Sequence, residues 1–429
     1  MTPSSPRRPW DGGREAGCDV LLTAAAVLHA NGEETSGTLE AAELLNERLG
    51  LGATLVPGWS DLLLHVGGDR VRMVPAVASN NNMNRVVGAL HAVDAIAGGR
   101  LDAAGATAAL AAAARAPQSP LGRYVFACAV GAGALSIING ASHPAVLGIV
   151  VLCAGVGGLL RRGMAHWFDA NSFLQILAAS LLAGFVGAFG VRWEAARQIN
   201  AATRLIALGP LLVLVPGPAF LAGALDVAAF RLTLGFARLL FGTLTVLAIC
   251  TGVLVGLALG GADLPATAQA RPLPVWLDVV CAGVAAGSYG VFFAMPPRLI
   301  VYPVLMGMAA HAVRWCAISG LGWSNATGAG LACLTVGVVM VPVARRYRLP
   351  FAGVGFASVV SMVPGTYLFR MGGGLMQIQH DAAATSAALV GGVLSDGTTA
   401  LMTVTTMALG LVLPMSAYKH VRRTRAGGV

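Results

Sequence analysis

Beyond Gly122 the chain is a succession of apolar stretches, each near the roughly 20 residues a helix needs to cross a bilayer core, and nearly free of charge. Lipid offers no partner to a backbone N–H or C=O, so such stretches are confined to helices with internal hydrogen bonds. They run Tyr124 to Asn139, Pro144 to Leu160, Phe173 to Gly190, Leu205 to Ala224 and Leu239 to Gly260. After a polar, Pro-rich linker (GADLPATAQARPLP) come Val275 to Met295, Leu299 to Ile318, Ala326 to Val343, Phe351 to Phe369 and Leu401 to Ala417. The expected fold is therefore a polytopic α-helical membrane protein with about ten transmembrane helices, five in each half.

Composition agrees: 56% of residues are hydrophobic, 11% are charged, and mean hydropathy is +0.74, outside the range of soluble domains. The 56 glycines suit close helix packing in lipid. Cys18, Cys128, Cys153, Cys250, Cys281, Cys316 and Cys333 show no metal-ligand spacing and read as small packing residues. No cofactor and no metal site is expected.

The first hundred-odd residues form a different unit. Residues 1–17 are a Pro/Gly/Arg-rich tail and read as disordered. Helical spacing over Asp19 to His29, Thr38 to Leu49, Asn84 to Ile96 and Asp102 to Ala114, with β-like runs at Ala53 to Val56, Asp61 to Val66 and Arg70 to Val74, predicts a small α+β soluble domain over 18–120. Gly67-Gly68-Asp69 is the expected hairpin turn. The membrane units are then 121–260 and 275–418, joined by the linker 261–274 and followed by a basic tail, 419–429. The acids Glu33, Glu34 and Glu40 with His29 lack a nucleophile and base, so the domain is read as regulatory or oligomerising, which leaves a homo-oligomer open, and not as an enzyme.

Five is odd, so a second unit with the same element order enters the membrane from the opposite face, giving two five-helix inverted repeats. Arginine placement points the same way. One set of loops holds Arg161, Arg162, Arg231, Arg238, Arg298, Arg345, Arg346, Arg348, Lys419, Arg422, Arg423 and Arg425; the other holds Arg192, Arg197, Arg204, Arg271 and Arg370. The positive-inside rule then puts both termini in the cytoplasm. The net charge of +9 is a topology signal, and no nucleic-acid partner is expected.

The fourth stretch of each half is interrupted alike, by LVPGPAFLAGALD (Leu214 to Asp226) and MVPGTYLFRMGGG (Met362 to Gly374). Proline removes a helical hydrogen bond and glycine loosens the backbone. Paired breaks in matching positions of two halves mark substrate sites in transporters; a simple kink is the alternative. A third Val-Pro-Gly, Val56 to Gly58, reads as a plain turn.

The chain resembles the threonine/serine exporters. The likeness lies in LHANGEETSGTLEAAELLNERLGL, in NNNMNRVVGALHAVDAIAGGRLD, in the stretch from SIINGAS through GLLRRG, in LVPGPAFLAGALD with LGFARLLFG, and in MVPGTYLFRMGGG. It implies an N-terminal cytoplasmic domain, two five-helix units that are separate proteins in some relatives, and proton-driven export of small hydroxy amino acids from a cell inner membrane. Relatives often carry Asn and Arg before the aspartate of the first break, where this chain has Leu221 to Leu225, and an acid where it has Phe241.

An amino-acid substrate needs donors for its carboxylate and acceptors for its ammonium. Pro216, Gly217, Pro364 and Gly365 offer freed backbone groups; Arg370 reads as a carboxylate partner or an interface anchor, and Asp226 as an ammonium partner, a proton carrier or a helix cap. Asp396 is the first candidate for the coupling proton, since a buried carboxylate titrates nearer neutrality; a helix N-cap is its other reading. His380 and Asp381 are alternatives. His311 is a further alternative, read first as an interface residue beside Arg314, and Asn139 reads as a helix cap, with a gate as its other reading. The expected partners are an amino acid, protons and the lipid bilayer. A passive channel or scramblase and, third, an intramembrane hydrolase are the competing functions.

Overall fold

The computed structural model describes residues 10–68, 70–79, 81–168, 171–197, 204–262, 273–347, 349–380 and 385–426. Four helices, α1 (Arg14–Ala30), α2 (Thr35–Leu49), α3 (Met83–Ala97) and α4 (Ala103–Ala114), flank in sequence an antiparallel sheet of β1 (Ala53–Pro57), β2 (Asp61–Val66) and β3 (Arg70–Pro75), in the order β1-β2-β3, onto which α1 and α2 pack. Alternation along β2 buries Leu62 and Leu64 completely. Side-chain caps start two helices: Asn82 accepts from the Arg85 amide at 3.3 Å and Asp102 from the Gly105 amide at 2.7 Å. Gly50, at φ 63°, closes α2 in the left-handed conformation that glycine adopts without strain. Helix α1 reaches back to Arg14, into the stretch expected as a tail. Arg14 donates to the Leu51 carbonyl at 2.8 Å, and Trp10 packs on the core. Asp69, in the expected hairpin turn, lies outside the described residues.

The apolar part follows as α5 (Leu121–Ile138), α6 (Pro144–Trp167), α7 (Ser172–Arg197), α8 (Arg204–Leu208), α9 (Gly217–Ala228) and α10 (Leu232–Leu259). The second half has α11 (Val275–Phe292), α12 (Val301–Trp315), α13 (Asn325–Tyr347), α14 (Phe351–Val359), α15 (Gly365–His380) and α16 (Ala387–Ala426). A 3-10 turn, Gly209–Leu214, joins α8 to α9, and another, Val360–Met362, joins α14 to α15. Among the described residues eight helices are long and apolar enough to cross a membrane; the pair 205–214 and 217–228, bent by 52°, makes a ninth. The protein is thus a polytopic helical membrane protein. The last helix starts earlier than the apolar run Leu401 to Ala417, and Asp396, which lies ahead of that run, is matched by Arg370 inside the fold.

Corresponding helices make corresponding contacts. The third and fifth segments pack closely in both units, α7 on α10 and α13 on α16, where only glycine fits. A Cβ at Gly252 would lie 2.7 Å from the Leu177 carbonyl, and one at Gly410 2.8 Å from the Leu334 amide. The first segments, α5 and α11, pack on one another, and each unit's fifth helix meets the second half, in sequence, of the other unit's broken segment, α10 on α15 and α16 on α9.

The N-terminal region sits at one end of this bundle. The Met83 amide donates to the Phe293 carbonyl at 2.8 Å, after α11, and Thr35 donates to Asp226 at 3.0 Å, near the end of α9. Arg345, near the end of α13, forms ion pairs with Glu34 at 3.4 Å and with Glu40.

Candidate substrate site at the two broken helices

Both breaks have the same local structure. A 3-10 turn ends in an extended valine, Val215 at φ −57°, ψ 126° and Val363 at φ −58°, ψ 131°. The glycine amide after the proline then turns back to the valine carbonyl, Gly217 to Val215 at 2.8 Å and Gly365 to Val363 at 2.7 Å. With Pro216 at φ −78°, ψ 55° this is an inverse γ-turn, which suits proline's fixed φ.

The breaks touch. A Cβ on Gly217 would come within 2.5 Å of Val360 Cγ2, and one on Gly365 within 2.6 Å of Val215 Cγ2. Each glycine is the gap into which the other break's valine fits.

A cavity of about 510 Å³ lies against the second break. Pro364, Gly365 and Arg370 line it, with Ser361, Thr366, Arg314 and Asn325 as further polar groups. A second cavity, of about 390 Å³, lies against the first break and includes Pro216 and Pro218. It is walled partly by Ser79 and Asn81 of the N-terminal region. Val215 and Tyr289 line both, and the buried Tyr289 hydroxyl donates to the Leu212 carbonyl at 3.0 Å.

Two residues read separately in the sequence are partners: Arg370 Nε lies 3.0 Å from Asp396 Oδ2. Since α16 starts at Ala387, Asp396 is well inside the helix and does not cap it. Asn139 closes α5 through a 2.8 Å bond to the Leu135 carbonyl and also lines the larger cavity.

Asp226 is not brought to either of these cavities. It is 1% exposed and held by Arg231 at 2.8 Å, Arg238 at 3.4 Å and Thr35 at 3.0 Å, next to a small separate void under α2. His380 ends α15; Asp381 lies outside the described residues.

Sequence reasoning misjudged His311. It is completely buried, 3.0 Å from Asp278 through Nδ1 and 2.9 Å from Ser361 through Nε2. Arg314, taken as marking an interface, faces the larger cavity with Asn325 at 2.7 Å. Asp278, within an expected span, was the available signal: a second-unit membrane acid needs a partner.

In the N-terminal region His29, Glu33 and Glu34 are buried. Burial, with help from Arg238, pushes the His29 imidazole down to about 4, and its Nε2 meets the Gly58 carbonyl at 3.0 Å. Burial, then the neighbouring Glu34, pushes the Glu33 carboxyl well above the usual range. Among the described residues no cluster of His, Cys, Asp and Glu has a metal-binding arrangement.

Comparison with known families adds two findings. A family model described as a threonine/serine exporter matches residues 19–260, and a second, described as Threonine/Serine exporter, ThrE, matches residues 278–417. No curated protein and no solved structure matches the chain.

Proposed function

The chain belongs to the threonine/serine exporter family, with two units in tandem, and we propose that it moves threonine and serine out of the cell in exchange for protons. The observation that carries this reading is the larger cavity. It joins the second break to two guanidinium groups, Arg314 and Arg370, and to small polar partners, Ser361, Thr366 and Asn325. A carboxylate is matched by arginine, an ammonium by carbonyl oxygens at the break, and a side-chain hydroxyl by a neighbouring hydroxyl or amide.

Alternating access follows from two units facing opposite ways. Residues 293 and 345, after α11 and late in α13, meet the N-terminal region, as does Asp226 of α9. Those ends alternate along the chain as inverted five-segment repeats require, and the arginine-rich loops fall on the same side. We place that side, with both termini, in the cytoplasm.

Coupling is assigned to Asp396. A substrate carboxylate that binds Arg370 competes with Asp396 for the guanidinium, and an aspartate that loses its partner inside the membrane takes up a proton. Substrate and proton thus exclude one another from Arg370, as antiport demands.

Counterflow in proteoliposomes with labelled threonine, serine and a panel of other amino acids tests the substrate. An imposed pH gradient tests the coupling. Saturable threonine exchange with accumulation against its gradient supports the proposal; flux that ignores the pH gradient makes the protein a passive channel.

A further inference from the structure

The two cavities are built to one plan. Each joins one unit's break and an arginine near the end of that unit's second segment to the end of the other unit's first helix. In the larger cavity these are the second break, Arg314 of α12, and Leu135, Ile138 and Asn139 of α5. In the smaller they are the first break, Arg161 of α6, and Tyr289 and Phe292 of α11. Only the Val215 and Tyr289 layer is common to both.

The arginines differ in what they hold. Arg314 is engaged with Asn325. Arg162 is engaged too, bonded to Gln118, 3.4 Å from the Ser119 carbonyl, and stacked 4.3 Å over Tyr124. Arg161 is the exception: its Nε and one terminal nitrogen are buried without a hydrogen-bond partner among the described residues, and its guanidinium lies 5.4 Å from the Phe292 ring centre. Donors without an acceptor cost free energy until one arrives, and the half-buried side chain that carries them lines a cavity of about 390 Å³, with room for a small anion.

Resting on the exporter reading above, we propose that Arg161 is the entry site for the substrate's carboxylate on the side of the N-terminal region, and Arg314 its counterpart on the other side. The carboxylate passes from one guanidinium to the other across the Val215 and Tyr289 layer. Val213 and Leu214 of the first break border the same cavity, and in this proposal their carbonyls receive the ammonium.

The test uses the full chain in proteoliposomes of defined orientation. Arg161→Gln raises the KM for threonine presented on the N-terminal-region side about tenfold or more, the scale of a lost charge-assisted hydrogen bond, and leaves the KM on the opposite face within about twofold. Arg314→Gln does the reverse. Equal KM values for Arg161→Gln and the parent on both faces, or an equal rise on both, overturn the assignment. Phenylglyoxal labelling, mapped by mass spectrometry, reads the site without transport: threonine and acetate protect Arg161, and threonine amide does not. Should the parent fail to exchange threonine or serine while carboxylates still protect Arg161, the exporter reading falls and the carboxylate site stands. Labelling of Arg161 that no carboxylate slows sinks the site itself. If Arg161→Gln does not fold, Arg161→Lys, which keeps the charge but loses the fork geometry, is held to the same one-sided rise in KM.

Discussion

Gly365 lies against Val215: a Cβ on the glycine would stand 2.6 Å from the valine's Cγ2. The contact joins the start of α15 to the last residue before the first break, so the two interruptions form one joint. Gly365→Ala therefore overpacks it, at about 1–3 kcal/mol, and lowers the melting temperature in detergent and the exchange rate together. Gly391→Ala, in α16 with nothing within 4 Å of the new methyl, is the control and is neutral or stabilising by roughly 0.5–1 kcal/mol. Equal behaviour of the two variants would mean that the joint yields freely.

Asp396→Asn retains an oxygen for Arg370 but cannot take a proton. Threonine exchange at equal pH is expected to persist, while accumulation driven by a pH gradient collapses. A variant that still concentrates threonine in response to that gradient would move the coupling proton elsewhere.

The Asp278 and His311 pair yields a stability prediction. Asparagine preserves an acceptor for the imidazole Nδ1, and alanine leaves that buried nitrogen without one, so Asp278→Ala should cost about 1–3 kcal/mol more than Asp278→Asn. Thermal unfolding in detergent measures the difference; identical melting of both variants would show that the contact adds nothing.

His29 gives a pH dependence of definite sign. Its folded pKa is lowered to about 4 from 6.5, first by burial and then by Arg238, so its contribution is whole above pH 6.5 and is lost as pH falls toward 4. At about 1.4 kcal/mol per unit, the loss approaches roughly 3 kcal/mol. His29→Gln still donates to the Gly58 carbonyl and has no such titration. Across that interval the parent should lose stability relative to the variant, and parallel stability curves would contradict the burial argument. Glu33 titrates in both proteins and drops out of the comparison.

What the sequence revealed follows from what is local. Apolar runs of spanning length, the Val-Pro-Gly interruptions and the alternation of β2 are properties of neighbouring residues, and the structure has a helix, break or strand at each. Asp396 was harder, because an acid between Ser395 and Gly397 ends an apolar window; its partner Arg370 is distant in sequence, and their meeting accommodates the acid within α16. His311 with Asp278, and the separate fates of the adjacent Arg161 and Arg162, depend on contacts across helices. An arginine at a loop is a topology mark in sequence whether it is bonded or unsatisfied. The displacement of Asp226 from the cavities has the same origin, since Arg238 of α10 and Thr35 of the N-terminal region reach it only across elements of the assembled fold.

That docking reaches further than the aspartate. The opening residues of α2 grip one unit through Thr35 and Ser36, which meet Asp226 and Arg231, while Glu34 and Glu40 grip the other through Arg345. A single short helix is thus a crossbeam between the two units. On the exporter reading proposed above, any rocking of one unit against the other has to bend, slide or release that beam, so its stiffness would set a brake on turnover from outside the two cavities.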